Sequence, residues 1–378
     1  MRYVSPSNVH QNHNVVMFSS NDDGVDSLSA SEVESNATND GVEAKLHVPD
    51  PPRFLARGYI IAAVLNAMTS LALVWNYPNS ALDAARIIST TASTATTLTR
   101  HQPNLLATYT AGALGYLLLA GCSCQILADA VNTKRLYTSE TYKRLTLGVL
   151  LFGLIGLWSL PGEVGCNSRF GAGVMSTLLL SQITKFITSF VSFVGWEYSA
   201  GGFNNRVKNV LIEIVKGCRH VVESCPVSEE RPASFYRTFF LLVTVLNPIC
   251  NIPELAFNLS QGARLFSLPV SLNISSIARL SLLSVLLCIL KDGAERDRLD
   301  GSTFIKLNVC VGLWAFGVGI AQGFGIGDFN IRRAADKLLF AALFLNNGVV
   351  SQLRKMGFVR KEDPNDPDVD PPLRVSLF

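Results

Sequence analysis

Residues 105–127 read LLATYTAGALGYLLLAGCSCQIL, 23 positions without one charged side chain. A run longer than about 18 apolar residues fits a bilayer, because a helix of that length crosses the hydrocarbon core while satisfying its own backbone. Similar runs recur along the chain, and eight spans are expected, at 57–75, 104–127, 145–161, 173–196, 238–257, 270–290, 307–324 and 338–353. Charged residues make up only 16% of the sequence, against about a quarter in soluble domains. The expected fold is therefore all-α: a polytopic transmembrane helical bundle whose partner is the lipid bilayer.

Sidedness follows from the basic residues. With eight spans, both tails and the segments 128–144, 198–237 and 291–306 share one side and hold 23 of the 32 Lys and Arg, against 7 on the other side. Basic residues collect on the cytoplasmic side of short loops, so both termini are expected in the cytoplasm. Five regions are expected in order. Residues 1–52 form an acidic tail too poor in apolar residues to fold. Residues 53–197 form the first four-span unit, and 198–232 a linker. Residues 233–356 form the second unit, and 357–378 an acidic, Pro-rich tail. In the linker, FNNRVKNVLIEIVKGCRHVVES has apolar residues at helical spacing and a basic opposite face, which suits a helix lying on anionic lipid or one packed on the loops.

The two halves share a pattern. ILADAVNTKRL at 126–136 returns as ILKDGAERDRL at 289–299, and the ungapped match of 126–172 to 289–335 has 13 identities in 47 positions. Typical residue frequencies give about three by chance. A duplication into two parallel four-span repeats is expected, since an even span number returns each copy to its starting side. Within the match, Asp129 and Arg135 correspond to Asp292 and Arg298. An Asp just past a helix end with an Arg six residues on is expected to form an ion pair or a cap that fixes its turn; the alternative is a paired cytoplasmic gate, one in each half.

Polar groups inside the spans are few, and each is a functional candidate because such groups are costly in hydrocarbon. Lys185 lies deep in the fourth span, with Gln182 one turn away. The fifth span carries Asn247, Asn251 and Glu254 beside Pro248 and Pro253, which delete backbone donors and predict a kinked or broken helix. Asn346 and Asn347 interrupt the eighth span. Lys185 could attract an anionic solute, pair with Glu254, or reach outward to the headgroups. Glycines at 148, 153 and 156, and at 312, 317, 319 and 323, favour close helix packing.

No Ser-His-Asp set, metal-ligand cluster or phosphate loop is present in the sequence. An enzyme, a cofactor and a bound metal are not expected. A net charge of +3 gives no reason for a nucleic-acid partner. The eight cysteines show no CxxC spacing, and most sit in or beside apolar runs as small hydrophobes. Asn258-Leu-Ser and Asn273-Ile-Ser match glycosylation acceptors. Two functions are compatible with these features. One is a transporter or channel for a small polar or anionic solute, with its site between the repeats. The other is a non-transporting membrane-organising protein acting through its linker helix and tails.

Overall fold

Apolar runs become helices because hydrocarbon offers backbone N–H and C=O groups no other partner. In the computed structural model, residues 50–92, 105–158, 172–199, 231–260, 268–296, 298–324 and 330–356 are described. They are all-helical, without a strand, and belong to one compact unit, Val48–Phe378. The expected acidic tails, the amphipathic linker helix at 203–224 and most loops lie outside the described residues.

The helices are α1 (Arg53–Ala92), α2 (Leu105–Leu114), α3 (Cys122–Asn132), α4 (Arg135–Thr138), α5 (Glu140–Trp158), α6 (Ala172–Ser199), α7 (Arg231–Ser260), α8 (Leu268–Glu295), α9 (Ser302–Phe324) and α10 (Ile331–Lys355). Between α2 and α3 the chain winds as a π-helix over Gly115–Gly121. Such segments are rare and usually short, and the apolar run gave no sign of it.

Six stretches among the described residues are long and apolar enough to cross a membrane: Arg53–Trp75, Thr110–Asn132, Ser176–Ser199, Phe235–Ser260, Asn273–Glu295 and Ser302–Phe324. They support an integral membrane protein with several passes. The other two expected spans coincide with α5 and α10, which fall short of that standard. In α5 the charged Glu140, Lys143 and Arg144 take up the first turns, and in α10 Arg332, Arg333, Asp336 and Lys337 do the same.

Of the kink or break expected in the fifth span, a break is absent: α7 stays helical through Pro248 and Pro253. Extra amide bonds brace this stretch. Asn251 Nδ2 donates to the Asn247 carbonyl at 2.9 Å, and Asn273 Nδ2 reaches the Asn251 carbonyl at 3.3 Å. Helix α10 likewise continues through Asn346 and Asn347.

Within the first half, α1 packs along α2, the π-helix, α3 and α6, and α5 packs on α6; within the second, α7 packs on α8 and α9 on α10. The most extensive contacts between the halves place α5 on α8, and α9 on α2 and the π-helix. Small residues let these helices approach. A side chain at Gly148 would press on Val285 of α8, and one at Gly317 on Leu114 of α2. Trp314 Nε1 donates to the Ala111 carbonyl at 3.3 Å across the same boundary. One apolar core, including Leu119, Leu127, Leu145, Leu282, Leu286 and Phe344, runs through both halves.

Candidate functional site

Helix α6 is inverted relative to a helix of a water-soluble protein. Ser181, Gln182, Thr184, Lys185, Thr188, Ser189 and Ser192 are buried, while Leu179, Ile183, Phe186, Phe190 and Phe193 are exposed. The inward residues recur every three or four positions, so they form one stripe. In lipid the outward apolar face is the favourable one, and the inward polar groups must bond to one another.

They do so against α1 and the π-helix. Asn66 Nδ2 donates to the Ala62 carbonyl at 2.7 Å and to Thr188 Oγ1 at 3.1 Å. The Thr69 and Thr184 hydroxyls bond at 2.7 Å, and Tyr116 Oη meets Ser181 Oγ at 3.1 Å. The Asn66 side-chain oxygen is buried with no partner in the structure. The result is a polar seam through an otherwise apolar bundle.

Lys185 sits in this stripe, only 3% exposed. Its stem lies over Gly156 of α5, where an added Cβ would come within 3.3 Å of Lys185 Cδ. Gly153, one turn away, faces Ser189, whose hydroxyl donates to the Lys185 carbonyl at 2.8 Å. The glycines therefore do more than tighten a helix pair: they leave the room in which a lysine stem lies. Lys185 is buried.

The remaining candidates do not join it. Glu254 is exposed on α7 and forms no pair with Lys185. Asn247 and Asn251 are buried together on α7, with Asn251 Nδ2 also 3.0 Å from Asn247 Oδ1. Asn347 Nδ2 donates to Tyr236 Oη at 3.1 Å, and that hydroxyl donates to Asn308 Oδ1 at 2.8 Å. Phe235, Phe239, Phe340 and Phe344 surround Tyr236 or one another, with ring centroids 4.5–5.9 Å apart. Asn346, beside Asn347, is exposed. The candidate residues thus fall in separate places: Gln182 and Lys185 in the first half, and two asparagine clusters in the second. Asn273 is buried and bonded within the second half, so its tripeptide is no accessible glycan acceptor.

The ion pairs of the repeated Asp residues run across the halves and not to the Arg of their own turns. Asp129 meets Lys306 at 3.3 Å, and Asp292 meets Arg144. Both Arg135 and Arg298 are exposed. The first pair is open to solvent, with side chains 62% and 50% exposed; the second is 19% exposed on each side. Around Asp292 a chain of charges continues through Lys291, Glu295 and Arg237, at 3.5, 3.4 and 3.1 Å per link. Burial works against the Arg144 charge, but the Asp292 carboxylate together with Cys288 and Glu140 outweighs it and holds the guanidinium pKa above its ordinary value.

Two grooves stand out on the surface of the described residues. One, of about 760 Å³, lies between α1 and α6 and is lined by Leu71, Trp75, Ser176, Thr177 and Leu180 among others. The other, of about 430 Å³, lies between α3 of the first half and α9 and α10 of the second, with Cys122, Gln125, Lys306, Cys310 and Gln352 in its wall. Lys185 lines neither. Among the described residues, no group of three or more His, Cys, Asp or Glu is arranged to hold a metal ion. No family model, curated protein or solved structure matches this chain.

Proposed function

We propose that this membrane protein transports a small polar or anionic solute through the seam built around Lys185. The observation that carries the reading is a lysine only 3% exposed within an apolar helix, on a stripe of hydroxyl groups. A cation in such a place costs several kcal/mol to desolvate, and ionisable groups kept at this depth commonly belong to ion or substrate paths. The solute would supply the negative or polar group that the lysine attracts, and the hydroxyl and amide groups of Asn66, Thr69, Thr184 and Thr188 would replace its water. The site is assigned to the first half and not to the boundary between halves, because Lys185 packs on α5 within its own half.

In the same reading the chain has eight spans in two parallel four-span copies, with both termini in the cytoplasm. Support comes from the packing scheme. If α1, α2–α3, α5 and α6 correspond to α7, α8, α9 and α10, the two most extensive crossings between halves exchange with one another: α5 on α8, and α9 on α2. The cross-half pairs Asp129–Lys306 and Asp292–Arg144 exchange in the same way, displaced by one residue at the basic partner.

The test is uptake into proteoliposomes, with labelled inorganic phosphate, small carboxylates and amino acids as probes. Wild type is expected to accumulate at least one of them. Lys185→Ala is expected to lose at least tenfold in rate, whereas Glu254→Gln, altered at an exposed position, stays at the wild-type rate. Equal uptake by all three would remove Lys185 from the route, and wild-type liposomes that take up none would reject transport. The second reading, a non-transporting organising protein, is favoured by the glycine-packed, ion-paired boundary between the halves, and it expects no uptake.

A further inference from the structure

Cys122 opens α3 in the first half, and Cys310 lies within α9 of the second, 188 residues later. Both are partly exposed, and both line the same groove between the halves. Cys124, two residues beyond Cys122, is by contrast fully buried. Lys306 stands one turn before Cys310, lines the same groove and pairs with Asp129 of the first half. Two partly exposed thiols on one groove, beside a fixed positive charge, are in the setting where cysteines take part in thiol–disulfide exchange.

We propose that Cys122 and Cys310 are a redox modification site, closing to a reversible disulfide that ties the first half to the second. The co-reactant is a small disulfide of the glutathione type. One cysteine, as thiolate, attacks it, forming a mixed disulfide and expelling one small thiol. The other cysteine then attacks the protein sulfur of that mixed disulfide and expels the second thiol. Two protein thiols give up two protons and two electrons; one small disulfide becomes two thiols, and a small dithiol reverses the sequence. The bond joins α3 to α9 one turn from the Asp129–Lys306 pair, so it blocks separation of the halves on that side. The inference does not depend on transport.

The experiment uses the full chain in its membrane. The protein is exposed to glutathione disulfide, free thiols are alkylated, and peptides are mapped by mass spectrometry with and without a reducing dithiol. The expected result is a Cys122–Cys310 linked peptide that disappears on reduction. It is lost at least tenfold in Cys310→Ser and retained in Cys124→Ser. Full alkylation of both thiols in the oxidised wild type would overturn the proposal without any variant. So would single glutathione adducts at each cysteine with no linked peptide.

Discussion

Helices α6 and α10 are the last described helices of their halves, yet their faces are reversed. Helix α6 buries Ser181, Thr184, Lys185 and Thr188 and turns Phe186, Phe190 and Phe193 outward. Helix α10 buries Ala334, Phe340, Ala341 and Phe344 and leaves Arg332, Asp336 and Asn346 exposed. The first distribution suits lipid outside and polar partners within; the second is mixed, with Leu339 and Val349 exposed beside those polar residues. The helices they pack on follow suit. Beside α6 stands Gly156, open enough for a lysine stem, whereas beside α10 stands Gly312, where an added Cβ would lie 2.7 Å from Leu345 Cγ. Similar sequence stretches at 126–172 and 289–335 thus lead into unlike interiors. The difference between the halves, more than their likeness, points to where a function resides.

The largest expected effect tests whether Lys185 is kept for stability. Leaving a buried polar group without its partner costs about 1–3 kcal/mol, and more where one member is charged. Lys185→Met should therefore lower the unfolding midpoint in detergent. An unchanged or raised midpoint would mean that the lysine is not kept for stability and would sharpen the contrast with α10.

Next in size is the pair of cross-half contacts. Asp292→Asn disturbs a partly buried carboxylate shared by Arg144 and Lys291, and should cost about 1–3 kcal/mol. Asp129→Asn, at an exposed pair, should cost less than about 1 kcal/mol. Equal losses in denaturant titrations would mean that both turns carry the boundary alike.

The smallest effect distinguishes the inner and outer asparagines of the second half. Asn346→Leu, on the exposed face of α10, should change stability by less than about 0.5 kcal/mol. Asn308→Leu leaves the Tyr236 hydroxyl without its acceptor and should cost about 1–3 kcal/mol. A large loss from Asn346→Leu would reveal that this face is covered in the working protein.

Part of the seam was legible in advance. Ser181, Gln182, Thr184, Lys185, Thr188 and Ser192 recur at helical spacing in the sequence, yet Lys185 and Gln182 alone drew notice because the hydroxyls blend into an apolar average. Neither Tyr236 nor Asn308 could be paired by reading, since 72 residues separate them. Glu254 looked like a partner for Lys185 because both are ionisable residues in apolar runs; α7 turns it outward instead. The π-helix left no trace, as its residues Gly115–Gly121 suit an α-helix equally well.

Hydropathy alone determined that much of this chain crosses a membrane, because a long apolar run in water has no comparable alternative and its backbone must close on itself. The helical period alone also determined which residues share a stripe. Only the tertiary structure decided which stripe faces inward and what it meets there. That choice depends on how closely two helices can approach, and so on single glycines such as Gly156 and on partners far away in the chain. The same holds for Asp129 and Asp292. Their recurrence was evident in the sequence, but their pairing across the halves exists only once α5, α8 and α9 are brought together.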